Sequence, residues 1–313
     1  MLCPAECKCD SAGYYVECND KSLIAVPLIH PKFVQSFQIY DNNITLLEKD
    51  SFISMTELLI LDISWCELRT VDLGAFNGLT KLTGLTMRGN QLCELLTGTF
   101  ESWRSLENLD LSNNRIEHID NDLFSGLINL KLINLSANKL KSLHPNTFLG
   151  IPNLRTLYLG KNPGFQIPTD RNFINSHSLS TLDISKCNIS SLSVETFAKV
   201  SELPRLDLSD NNLKSLDINI LRALPKLFEL YLYGNPLQCD YQLKEVRQLC
   251  EDRNIQTGNG SWVPKCDTPS DVKGMGWEVL ETWLLLDFPK IYYEEYIDTS
   301  YSKTYSDWEE CEN

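Results

Sequence analysis

Cysteine is the residue type here most able to do covalent chemistry, and the eleven cysteines are unevenly spread. Cys3, Cys7, Cys9 and Cys18 crowd the N-terminal end, and Cys239, Cys250, Cys266 and Cys311 lie toward the C-terminal end. Such clusters suit either tetrahedral zinc or disulfides. Zinc sites are built from paired C-x2-C knuckles, and the spacing C-x3-C-x-C-x8-C over residues 3 to 18 has none. The clusters therefore read as disulfide staples at two ends, which implies an oxidising, secretory environment. Only Met1 and Leu2 precede the first cysteine, so no leader is visible, and one processed off or missing from the sequence is expected.

Other chemistry finds little support. The four histidines, His30, His118, His144 and His177, share no spacing that would align a base with a nucleophile and an orienting acid. No glycine-rich phosphate loop or metal-ligand cluster occurs, so neither an enzyme nor a cofactor or metal is expected. The 42 acidic and 28 basic residues give a formal charge of −14. That field repels nucleic acid and anionic lipid surfaces, so nucleic acid is not expected as a partner. No stretch reaches the roughly 18 apolar residues that a membrane span needs. Four N-x-S/T sequons, at Asn43, Asn134, Asn188 and Asn259, are candidate glycosylation sites in a secreted chain. Residues 287–313 carry eight acidic and two basic residues and five of the 12 tyrosines. Tyr292, Tyr293 and Tyr296, flanked by Glu294 and Glu295, read as sulfation candidates.

The elements that must position these groups are written as a repeat. The pattern L-x-x-L-x-L-x-x-N-x-L recurs with its ninth position at Asn42, Cys66, Asn90, Asn114, Asn138, Asn162, Cys187, Asn211 and Asn235. The step is 24 residues everywhere except for one of 25, and nine coils cover 34 to 237. A repeat of this length and pattern predicts an α/β solenoid, a leucine-rich-repeat horseshoe with one short strand per coil and a parallel concave sheet. In the fourth coil Leu106, Leu109, Leu111 and Ile116 should point inward, and a strand's period of two turns Asn108, Asp110 and Ser112 outward.

A second ladder fixes the register. Phe52, Phe76, Phe100, Phe124, Phe148, Phe173 and Phe197 follow their ninth positions by 10 residues, or by 11 after Asn162, and should stack as an aromatic spine on the convex side. The ladder asparagines are expected to be buried, because an amide offers two donors and an acceptor to strand backbone that would otherwise be unpaired. Cys66 and Cys187 share that slot as small buried thiols. Cys93 is left over and is expected as a free thiol, with an intermolecular bond as the alternative. In the sixth coil Pro163-Gly164-Phe165 replaces the usual arc, and an irregular turn is expected there.

A solenoid exposes apolar residues at both ends and needs caps for solubility. The cysteine clusters lie where those caps must be. Here Cys3-Pro4-x-x-Cys7-x-Cys9 with Cys18, and Asn235-Pro236-Leu237-x-Cys239-Asp240 with Cys266-Asp267-Thr268-Pro269, carry a resemblance. The chain resembles the extracellular leucine-rich-repeat proteins with cysteine-rich flanks, the group that includes Slit, Toll ectodomains, the acid-labile subunit and the platelet glycoprotein Ib alpha chain. The resemblance implies the pairs Cys3–Cys9, Cys7–Cys18 and Cys239–Cys266. Tyr241 stands where the family usually has a second cysteine, and the family's final cysteine is absent near Trp283. Cys250 and Cys311 are left as a replacement pair. The expected division is an N-cap over 1–33, repeats over 34–238, a C-cap over 239–286 and an acidic, tyrosine-rich tail over 287–313.

What remains for function is a curved surface. Its fifth, seventh and eighth repeat positions carry Tyr40, Trp65 and Arg88 toward the N-terminal end, and Tyr158, Lys161, Lys186, Tyr231 and Tyr233 toward the C-terminal half. Exposed Trp, Tyr and Arg are the types that anchor protein interfaces. The expected function is therefore protein–protein recognition at the concave face by a secreted or cell-surface molecule, assisted by the acidic tail. A structural matrix component resembling the small leucine-rich proteoglycans is the alternative.

Overall fold

A computed structural model describes residues 3–28, 33–101 and 103–283. Each of the nine repeats contributes one three-residue strand, from Ser36–Gln38 and Ile60–Asp62 through Arg205–Asp207 and Glu229–Tyr231, and all nine pair in parallel. Register is kept without slippage, so equivalent positions of successive coils stand side by side, as Asp183 does between Tyr158 and Asp207. The middle residue of each strand faces inward, and the central leucines Leu61, Leu85, Leu109, Leu157, Leu182, Leu206 and Leu230 are almost wholly buried. One continuous apolar core runs from Val16 in the N-cap to Leu280 in the C-cap.

The ladder residues stitch the coils together. Asn90 Nδ2 donates to the carbonyls of Ile63 and Met87, while its Oδ1 accepts from the amides of Cys66 and Leu68. One amide thus satisfies four backbone groups from two coils, and Asn138, Asn162 and Asn211 repeat the scheme in part or in full. Cys66 and Cys187 are free and buried in the same slot, and their thiols donate to the carbonyls of Ile39 and Leu159. Burial pushes both thiols up to about 12.

The strand exits share a backbone device. At the fifth position Asp62, Asp110, Asn134, Asp183 and Asp207 each accept the amide of the serine two residues later. The eighth position then turns left-handed in every coil, with φ of 56° at Trp65, 61° at Lys161 and 55° at Lys186.

On the convex side the phenylalanines stack from Phe52 to Phe76 and from Phe100 through Phe124 to Phe148. Between those runs Trp103 wedges in, 4.9 Å from Phe76 and 5.2 Å from Phe100. The expected unbroken spine also gives way in the sixth coil, where buried Phe165 meets Phe173 edge-on. Gly164 stands at the repeat position where other coils have a leucine or isoleucine, and the turn there is closed by the Phe165 amide donating to the Asn162 carbonyl.

Both ends are capped. Strands Lys8–Cys9 and Tyr15–Glu17 form an antiparallel pair, and the second of them extends the concave sheet by pairing with Ser36–Gln38. Cys3–Cys9 and Cys7–Cys18 are bridged there, and Cys239–Cys266 closes the other end. The C-cap helix Tyr241–Asp252 starts at Asp240, whose side chain accepts the Leu243 amide, and it lays Leu243, Val246 and Cys250 against the last coil. Two cysteine expectations are corrected. Cys250 is a free buried thiol, not one half of a Cys250–Cys311 bridge, because the helix directs it into the core; Cys311 itself lies outside the described residues. Cys93 is disulfide-bonded, not free. Native protein treated with iodoacetamide should therefore keep Cys66, Cys187 and Cys250 unmodified until it is denatured, since burial raises all three thiols to about 12. Mass spectrometry showing any of them alkylated in the folded protein would contradict this.

Candidate recognition surface

The concave anchors fall into three groups along the sheet. At the N-terminal end Trp65 is half exposed, and its indole lies across Gly89 of the next coil, where an added Cβ would sit 2.3 Å from the ring. Gly89 has a φ of 71° and is thus needed twice, for the left-handed turn and for the space. The Arg88 guanidinium lies 6.0 Å from the Trp65 ring centroid, within range of a cation–π contact. Trp65 thus turns toward coil three, over Gly89 and within reach of Arg88, while Tyr40 in coil one is half-buried. In the middle, Tyr158 and Lys161 border a concavity of about 300 Å³ with Asn134 and Asp183. Lys186 is drawn to Asp210 of the following coil at 3.6 Å.

The third group is the most developed. Tyr231 and Tyr233 meet edge-to-face at 6.4 Å, and Tyr233 meets Trp262 of the C-cap at 4.9 Å. Arg205 stacks over Tyr231 at 5.1 Å and pairs with Glu229 at 2.9 Å, and the Tyr231 hydroxyl donates to the same Glu229 carboxylate at 3.0 Å. Burial raises the Tyr231 phenol, and the bond to Glu229 adds to that. The cap reaches the site by extending the sheet. Gln256 donates its amide to Phe228 and its carbonyl accepts from Leu230, after which the loop turns at Gly258 and brings Trp262 back over the surface. Sheet and cap loop together enclose an open concavity of about 520 Å³, bordered also by Asp207 and Asn259.

Several of these groups escape a reading by repeat position. Arg205 and Glu229 occupy the third position, whose outward direction follows from the same period of two that marks the fifth. Trp262 belongs to no repeat, and its place depends on how the cap folds back. Of the sequons, Asn43, Asn188 and Asn259 are exposed, and Asn134 is half-buried on the concave sheet, its Oδ1 engaged by Ser136. Tyr292, Tyr293 and Tyr296 lie outside the described residues. Among the described residues no group of three or more His, Cys, Asp or Glu could hold a metal ion, and no helix is long and apolar enough to cross a membrane.

A parallel concave sheet, asparagine ladders and cysteine-closed ends define a leucine-rich-repeat horseshoe. The chain belongs to the leucine rich repeat family, whose model matches residues 34–92, 104–163 and 177–237, more than half of the chain. It is 32% identical over 85 residues to chondroadherin-like protein of Mus musculus, a match covering 27% of this chain and 11% of that protein. With leucine-rich repeat-containing protein 3 of Danio rerio it shares 31% identity over 83 residues, covering 26% of this chain and 31% of the relative. With trophoblast glycoprotein of Rattus norvegicus it shares 28% over 107 residues, covering 29% and 25%. The matched stretches thus span about a tenth to a third of these curated relatives' length. Among solved structures, human 5T4, trophoblast glycoprotein, superposes with a TM-score of 0.64 at 23% identity, covering 88% of this chain and 96% of that one. TLR13 in its complex with ssRNA13 superposes at 0.60 with 24% identity, covering 75% and 38%. These likenesses bear on the fold.

Proposed function

We propose that this protein is a secreted or cell-surface recognition module, without catalytic activity, that binds another protein on its concave face. The observation that carries the reading is the clustering of Tyr231, Tyr233, Trp262 and Arg205 around an open concavity at one end of the sheet, with Trp65 and Arg88 at the other. These are the residue types that dominate interface energetics when they become fully desolvated. The cysteine-bridged caps fit an oxidising compartment, and exposed Asn43, Asn188 and Asn259 are offered as glycan sites there, with Asn134 as a fourth. The test is a crosslinking pull-down from extracellular fluid, followed by affinity measurements on substituted protein. Trp65→Ala or Tyr231→Ala should weaken the partner by about 2 kcal/mol, the usual hot-spot scale, while stability barely changes. Unchanged affinity in both, with binding abolished by convex substitutions, would remove the concave face from the reading.

The acidic segment 287–313 belongs to the same proposal as an electrostatic docking element for a basic partner surface. Its charge of −6 in 27 residues, made more negative by sulfation at Tyr292, Tyr293 or Tyr296, concentrates a field at one end of the chain. Such charges act over about 8 Å at physiological salt and accelerate encounter more than they strengthen contact. Neutralising Glu294, Glu295 and Asp298 together should slow association at low salt and flatten its salt dependence. An unchanged association rate would leave the tail as a tether.

A further inference from the structure

The C-terminal concavity has a chemistry that narrows what can enter it. Three rings, Tyr231, Tyr233 and Trp262, stand edge-to-face in series, and the negative faces of aromatic rings attract cations. The site already shows this preference, since the Arg205 guanidinium lies over Tyr231. That arginine is spent on Glu229, which it meets at 2.9 Å. Among the described residues Asp207 forms no ion pair, and the Arg205 charge acts on it only as a minor influence. Its Oδ1 accepts the amide and hydroxyl of Ser209, at 2.9 and 2.6 Å, and it stands in register beside Asp183 on the neighbouring strand. With Arg205 and Glu229 cancelling, the two aspartates leave this end of the sheet with two negative charges and an aromatic wall. Burial raises the Asp207 carboxyl and Asp183 adds to the rise, against the lowering by the Ser209 bonds and the Arg205 charge.

We propose that the concavity between the last two strands and the C-cap loop receives a basic side chain of the partner protein, an arginine or lysine seated against Tyr231, Tyr233 and Trp262 and neutralised by Asp207. This rests on the concave-face reading and adds the chemistry of the contact. The group fits by charge, by the flat ring faces and by an opening of about 520 Å³, ample for one guanidinium and its aliphatic stem.

The repeat supplies an unusually conservative test. Asn134 occupies the same fifth position as Asp207 and accepts the same amide and hydroxyl bonds from Ser136, so Asp207→Asn keeps the local turn and removes only the charge. Asp110→Asn makes the same change at the same position in the middle of the sheet, away from the rings. The full chain would be titrated by fluorescence anisotropy with a labelled, terminally blocked tri-arginine peptide, and with a tri-citrulline peptide of the same shape without charge. Tri-arginine should bind at least tenfold tighter than tri-citrulline, Asp207→Asn and Trp262→Ala should each lose about tenfold, and Asp110→Asn should change binding less than twofold. Equal losses in Asp110→Asn and Asp207→Asn would reduce the effect to bulk charge and overturn the proposal. So would equal binding of citrulline, or tight binding of a neutral chitotriose probe that is indifferent to Asp207→Asn. If a captured partner is lost with Trp65→Ala but is indifferent to Asp207→Asn, the basic-side-chain assignment falls and the concave reading survives; indifference to every concave substitution removes both.

Discussion

Replacing Asn90 by alanine is expected to cost about 4 kcal/mol, since it strands the buried amides of Cys66 and Leu68 and the buried carbonyl of Ile63, each worth about 1 to 3 kcal/mol when left unpaired. Partial relaxation of the turn keeps the total below the full sum. The loss falls on Ile63, Cys66 and Leu68 of the preceding coil, so the coil that loosens is not the one substituted; the Met87 carbonyl keeps its bond from Asn114. Asn90→Cys should be milder, because Cys66 and Cys187 occupy the equivalent slot and their thiols still donate to a carbonyl. Urea denaturation followed by circular dichroism orders the three proteins as wild type, cysteine, alanine. An alanine variant as stable as wild type would mean that water replaces the amide, and the ladder would then be a packing device only.

The second large effect is expected at Trp103. This residue stands three after Phe100, where five other coils place Met55, Leu79, Leu127, Ile151 and Val200 and the coil of Phe173 places Ser176. It is 2% exposed and joins two phenylalanine runs that are otherwise separate. Trp103→Ala leaves a cavity between Phe76 and Phe100 and should destabilise by about 3 to 5 kcal/mol. Trp103→Leu restores the side chain of the neighbouring coils and should cost less, the difference measuring how far the third and fourth coils have adapted to the indole. Equal melting temperatures for the leucine and alanine variants would show that the arc collapses freely around either.

Everything set by the 24-residue period was legible in the sequence. The strand order, the inward leucines and the burial of Asn90, Asn114 and Asn138 all follow from one translational rule. The cap bridges Cys3–Cys9, Cys7–Cys18 and Cys239–Cys266 followed from resemblance, because cap geometry has no period to read. Where the expectation failed, the cause is a contact between residues far apart in the chain. Cys250 is buried because a helix face turns it inward, and spacing to Cys311 carries no information about that face. Trp103 breaks the phenylalanine stack from outside the phenylalanine register. Trp262 joins Tyr233 only because Gln256 adds a rung to the sheet and Gly258 reverses the chain. The anchors Tyr231 and Tyr233 were visible as exposed positions, but the enclosure that groups them with Asp207 comes from the cap.

The left-handed eighth position has a consequence for how this molecule can be altered. Asp41, Gly89, Asn113, Asp210 and Gly234 suit that backbone, whereas Trp65, Ala137, Lys161 and Lys186 adopt it against their intrinsic preference, at about 1 kcal/mol each. Averaging the nine coils into an idealised repeat would replace all four with asparagine or glycine and yield a hardier scaffold. The same operation would delete the indole and both ammonium groups from the concave rim. The residues that depart from the local backbone rule are those by which one horseshoe differs from another, so thermal robustness and partner discrimination pull this row in opposite directions.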